Sequence, residues 1–231
     1  MKRIASLLML AARSTLWKAA GITLASCLTE AGLFLAALSG WQDPVRTAYY
    51  EYSNPMGLEG LLMQYPLSWC FRIGLVLVCA VLAFLGWEGS SRVSYTLRRL
   101  SVGHRALTLL WAGYGFFCLL FFWAAHLGTL LALCAAALPR LAPEFSGPQA
   151  LFLACYRDPY LHSLLPLDDC LLWVRNLSMC AALGTAAAVV RAAGLALAPL
   201  AALAPLAALS ALAGFTALAG LGGLLRLLGA A

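Results

Sequence analysis

Four ionisable side chains sit where their neighbours are almost all apolar: Glu30, Arg72, His126 and Arg175. Each is costly in hydrocarbon and needs a partner or a water-filled cavity. Glu30 lies eight residues, about 12 Å at the helical rise, below the expected outer end of its apolar run, and Arg72 five residues, about 7 Å, below that of the next. Arg175, followed by Asn176, falls at a similar level in a later run. The matching depths predict that Glu30 pairs with Arg72 or with Arg175. The simplest role for such a pair is to fix helix register, with contact to a substrate as the alternative. His126 is the only histidine deep in an apolar run, since His104 and His162 fall in connections. It reads as a hydrogen-bonded residue of a helix bundle, and no bis-histidine haem site is expected.

The usual motifs of soluble and membrane enzymes are missing. There is no GxxxxGK[ST] phosphate loop, no HExxH and no GxSxG. Nor is there a cluster of carboxylates within the apolar runs of the kind that holds metal and pyrophosphate. The chain is therefore not expected to be an enzyme, and neither a cofactor nor a metal is expected. Of eight cysteines, Cys27, Cys70, Cys79, Cys118, Cys134 and Cys180 lie in apolar runs, where cysteine packs as a small hydrophobe. Cys155 and Cys170 fall in a polar connection and form the one plausible disulfide pair. No Cys/His grouping has zinc-ligand spacing along the chain.

The elements that must position these residues are helices in a bilayer. Hydrophobic residues make up 63% of the 231-residue chain and charged residues 10%, far from soluble composition. An all-α polytopic bundle with about six spans follows, as a single transmembrane domain over 1–231. Spans are expected near 16–38, 67–87, 106–138 and 171–190, with one or two more within 192–225. That last stretch is Ala, Leu and Gly broken by Pro199 and Pro205. As one helix it would reach about 50 Å, more than a single crossing needs. Residues 1–15, with Lys2, Arg3 and Arg13 beside Ile4, Leu7, Leu8 and Leu10, suit a helix lying in the membrane interface.

Nine Lys/Arg residues fall in the segments that face one side and three in those facing the other, which places the N-terminus inside. The net charge of +6 thus reflects topology, and no nucleic-acid partner is implied. The outer connections, 39–66 and 139–170, carry Trp41, Tyr49, Tyr50, Tyr52, Tyr65, Tyr156 and Tyr160. They read as an aromatic belt with short helices resting on the outer membrane surface.

Between the second and third runs lies EGSSRVSYTLRRLSVGHR, residues 88–105, which alternates Tyr95, Leu97, Leu100 and Val102 with Arg92, Arg98, Arg99 and Arg105. Its arginines satisfy the positive-inside rule and meet anionic lipid. The same run, followed by ALTLLWAG, resembles the cytoplasmic loop of ABC-2 type transporter permease subunits. The interfacial N-terminal helix, six-span layout and outer helices before the last spans are similar to that family as well. Ser101 stands where the family often has proline. The resemblance implies a permease subunit in a bacterial cytoplasmic membrane, serving ATP-driven transport. It also implies a separate P-loop ATPase meeting Tyr95, Arg98, Arg99 and Leu100, and a second permease subunit enclosing the pathway with the first. A non-transport membrane scaffold or assembly protein is the alternative.

Overall fold

The computed structural model describes residues 2–40, 57–84, 104–141, 146–147 and 149–193. The described residues form seven α-helices and one short 3-10 turn, with no strand among them. In chain order the helices are α1 (Lys2–Gly40), α2 (Gly57–Met63), α3 (Ser68–Phe84), α4 (His104–Ala137), α5 (Ala150–Arg157), α6 (Pro159–Leu164) and α7 (Cys170–Ala193), with the turn at Leu138–Arg140. Within them, Thr15–Gly40, Arg105–Arg140 and Cys170–Arg191 are long and apolar enough to cross a membrane. A fourth crossing is formed if α2 and α3, bent by 51° at their junction, count as one. The remaining expected spans, within 192–225, lie beyond the described residues, as does the basic stretch 88–103.

The N-terminal segment differs from expectation. Residues 2–15 are not a separate interfacial helix but the first turns of α1, which runs unbroken for 39 residues, about 58 Å. No glycine or proline occurs before Gly21, so nothing in that stretch interrupts helix propagation. The long run 106–138 is a single helix, α4, as its uninterrupted apolar content predicts.

The four long helices pack antiparallel in sequence order around a square: α1 touches α3 and α4, and α7 touches α4 and α3. Each presents one narrow stripe inward. On α1 the buried residues are Thr15, Ala19, Thr23, Cys27, Glu30, Phe34 and Ala37, at helical spacings of three and four. Trp17, Leu24, Leu28 and Leu35 on its other side are exposed, as lipid-facing residues are. On α4 the stripe runs Ala112, Gly115, Leu119, Phe122, His126, Leu130, Cys134 and Ala137. Gly115 and Gly184 allow α4 and α7 to touch backbone to backbone: a Cβ at 184 would meet the Phe116 amide nitrogen at 2.7 Å. Small residues at such crossings supply the packing that hydrophobic exclusion cannot supply inside lipid.

The two ends of the square differ. At one end, Phe34 and Ala37 of α1, Leu67 before α3 and Leu130, Cys134 and Ala137 of α4 join the short helices through Leu58, Leu61, Ala154, Cys155, Leu161 and Leu164. This is the end carrying the 39–66 and 139–170 connections. At the other end, Ala19, Val78, Leu82 and Ala187 meet without such a cap among the described residues.

Candidate functional site

The site forms where the inward stripes of α1 and α4 face each other beneath α6. Glu30 is fully buried and accepts two hydrogen bonds. One oxygen, Oε2, lies 2.7 Å from Nδ1 of the equally buried His126, and Oε1 accepts from the Tyr160 hydroxyl at 2.9 Å. The other imidazole nitrogen, Nε2, lies 2.9 Å from Oγ of Ser26. Ser26 in turn donates to the Thr23 carbonyl at 2.9 Å. Glu30 and Ser26 are one helical turn apart on α1, so both reach the same ring on α4.

Aromatic rings close the imidazole in. Phe122, one turn before His126, is tilted against it at 4.6 Å between centroids, and Phe71 of α3 meets it edge-on at 5.3 Å. Phe71 also contacts the Tyr160 ring at 6.3 Å. Gly74 lets α3 come this close, since a Cβ there would stand 3.0 Å from the Phe122 ring and from the Ser26 Cβ.

Tyr160 is aimed by a local device. Asp158 is the N-cap of α6, with Oδ1 accepting from the Leu161 amide at 2.7 Å, and Pro159 occupies the first helical position. Burial pushes the Asp158 carboxyl above its ordinary value, against the lowering effect of the Leu161 and Tyr160 amides. Burial, then the adjoining Glu30 carboxylate, push the Tyr160 phenol up, so it remains a proton donor. Tyr160 therefore leaves the aromatic belt expected of it and turns inward, whereas Tyr156 is exposed.

The arginines are not the partners of Glu30. Arg72 places its guanidinium over the Trp69 ring of its own helix, 5.4 Å from the centroid. Arg175 donates to the Asn176 side chain and, at 3.3 Å, to the Ser163 carbonyl, which also accepts from Asn176 Nδ2 at 2.8 Å. That carbonyl belongs to the last turn of α6, where backbone acceptors lack helical partners, so the pair ties α6 to α7. Glu30 finds histidine instead because Glu30 and His126 belong to the inward stripes of directly apposed helices, with the half-buried Ser26 one turn before Glu30. The expected disulfide is also absent: Cys155 is a buried free thiol in α5, and Cys170 an exposed one opening α7.

A cleft of about 110 Å³ adjoins the network on the α7 side. Phe71 and Phe122 separate it from the imidazole, while Arg175 and Asn176 form its polar end and Leu75, Leu119 and Met179 its apolar wall.

Hydroxyl, imidazole and carboxylate stand in the order of a hydrolase triad, but the rest of that machinery does not accompany them. Ser26 gives its proton to a backbone carbonyl, and it sits in mid-helix, where neighbouring amides are engaged in the helix and none can stabilise an oxyanion. What the arrangement can do is hold one proton, or a cation in its place, between Nδ1 and Oε2. One donor atom each from Cys27, Glu30 and His126 lies within 4.8 Å of the other two. Spacing along the sequence could not reveal this grouping, because its donors come from two helices. In the fold Glu30 stands ten residues before the end of α1 and His126 eleven before the end of α4, the same depth in two parallel helices, but the apolar-run bounds 16–38 and 106–138 blur that match. Compared with family models, curated proteins and solved structures, the chain matches none.

Proposed function

We propose that this chain is the membrane-spanning permease subunit of an ATP-driven transporter in a bacterial cytoplasmic membrane, with its N-terminus inside. In this reading it receives motion from a separate P-loop ATPase and encloses the pathway with a second permease subunit. The observation that carries the reading is the basic stretch 88–105, with Tyr95 and Leu100 set among Arg92, Arg98, Arg99 and Arg105. It joins the ends of α3 and α4 that lie opposite the capped end of the bundle. Arg191, at the same end, lies over the Trp111 ring, which adds to the positive charge there. A scaffold needs only the charge of this stretch, since anionic lipid attracts each basic residue by about 1 kcal/mol whatever lies between. A docking element also needs its apolar anchors, because interface energy concentrates in a few buried aromatic and aliphatic groups.

The test follows from that difference. Tyr95→Ala with Leu100→Ala leaves every charge in place. The double variant should insert in the membrane as wild type does yet lose the ATPase that co-purifies with the native protein. Full retention of that partner by the variant, or no ATPase with the wild type, refutes the permease reading in favour of the scaffold.

A further inference from the structure

We infer that Cys27, Glu30 and His126 form a binding site for one zinc-like divalent transition-metal ion, inside the bundle and independent of the transport reading. Thiolate, imidazole and carboxylate are the donor set that zinc accepts, while calcium and magnesium prefer oxygen alone. The three donor atoms lie within 4.8 Å of one another. Zinc holds such ligands at about 2.0–2.3 Å, so side-chain shifts of about 1 Å would close the set around an ion.

Charge and the surrounding hydrogen bonds favour this occupant. The Ser26 proton is committed to the Thr23 carbonyl, so Ser26 Oγ accepts from Nε2–H. This leaves Nδ1 directed at Glu30 as the metal-facing nitrogen. Tyr160 donates to the far oxygen of Glu30, orienting the carboxylate. Hydrogen bonds to imidazole and carboxylate of this kind fix ligand orientation in metal sites. Binding exchanges Zn²⁺ for two protons: the one held between Nδ1 and Oε2, and the one on the Cys27 thiol. With one proton shared between Nδ1 and Oε2 and the thiol protonated the site is neutral before, and it is neutral after, as Zn²⁺ with carboxylate, thiolate and neutral imidazole. A net charge of zero in both states avoids the large cost of burying an uncompensated ion.

Full-length protein in detergent, stripped with a chelator, is titrated with Co²⁺ as a spectroscopic stand-in and then with Zn²⁺ in competition. The expected result is one Co²⁺ per chain with a thiolate-to-cobalt charge-transfer band, displaced by Zn²⁺ with release of two protons per ion in weak buffer. Cys27→Ser should abolish the band, while the Ser26–His126–Glu30–Tyr160 chain of hydrogen bonds, in which Cys27 takes no part, keeps all its members. Ser26→Ala should weaken Zn²⁺ binding by about 10–100-fold. Failure of the wild type to bind, cobalt binding without the sulfur band, or equal zinc affinity in Cys27→Ser and wild type overturns the site. None of these results bears on whether an ATPase docks at 88–105.

Discussion

The sharpest test of the buried network is a mutant cycle between Glu30 and Tyr160. Glu30 and His126 are both 0% exposed, and the carboxylate takes two donors, at 2.7 and 2.9 Å. Truncating Glu30 to Ala strands an imidazole and a phenol in a dry pocket. Breaking a buried pair this way costs about 3–5 kcal/mol in soluble proteins. Tyr160→Phe removes one bond to a charged acceptor, worth about 1.5–3 kcal/mol in soluble proteins. Membrane bundles yield less, about 0.6 kcal/mol on average and about 1.7 at most, because separated helices find other partners in the membrane. Tyr160 sits on a short capping helix and not a span, so its release leaves Glu30 without a donor from α6. The expected cost is therefore near the top of the membrane range, about 1–2 kcal/mol. In a Glu30→Ala background the phenol has no acceptor to lose, and Tyr160→Phe should be nearly neutral. Unfolding of the four proteins in mixed micelles of rising denaturing-detergent content gives the coupling directly. Arg72→Gln and Arg175→Gln serve as controls that should add independently to Glu30→Ala. If Tyr160→Phe costs the same in both backgrounds to within about 0.5 kcal/mol, or if either arginine couples to Glu30 instead, the network is wrong.

Two further perturbations test the elements that hold the site. Gly184→Ala puts a Cβ 2.7 Å from the Phe116 nitrogen and 3.0 Å from the Ala112 carbonyl, backbone atoms that no rotamer change can move. It should destabilise by about 1–3 kcal/mol in the same unfolding assay, while Gly32→Ala, with nothing within 4 Å, should not. At the α6 cap, Asp158→Ala should cost about 1 kcal/mol and Asp158→Asn, which still caps, far less. Because burial raises the Asp158 carboxyl, its contribution is fullest in acid and declines as pH rises through its folded value. The Asn variant should therefore gain on wild type as pH rises above the ordinary carboxylate value of about 4, and a loss over that rise would contradict the stated cause.

The long helices were legible in the sequence because a membrane span leaves a one-dimensional mark: apolar length between charges. The short capping helices left a weaker mark, in Asp158-Pro159 for α6. The partner of Glu30 was not legible from the depths measured to the loop boundaries. Arg72 and Arg175 match Glu30 in depth, but depth does not say which way a side chain points around its helix. Arg72 turns toward Trp69 and Arg175 toward the end of α6, and neither rotation can be read from an apolar run. The buried stripe itself, Thr23, Cys27, Glu30 and Phe34, runs at intervals of three and four along α1. Small and polar residues at outward positions such as Ala25 and Thr29 hid the pattern, and lipid-facing and buried residues are equally apolar.

The ties between helices are unevenly distributed, and this bears on how the bundle could move. Helices α1 and α4 are joined by polar contacts at two levels, Thr15 with Tyr114 at 3.0 Å and Ser26 and Glu30 with His126. Helices α4 and α7 are joined by the Gly115–Gly184 backbone contact, by Trp123 against Trp173 at 5.5 Å and by Arg191 over Trp111. Among the described residues, α3 makes no side-chain hydrogen bond to another helix and packs through apolar residues, Phe71, Leu75, Val78, Leu82 and Ala83 among them. Apolar surfaces in lipid slide at lower cost than directional bonds break, since the tails replace the lost contacts. Helices α1, α4 and α7 thus carry the directional ties described, while α3 is held by apolar packing. The basic stretch proposed as the docking element follows α3 in the chain, so a force applied there would act first on a helix held to its neighbours by apolar packing.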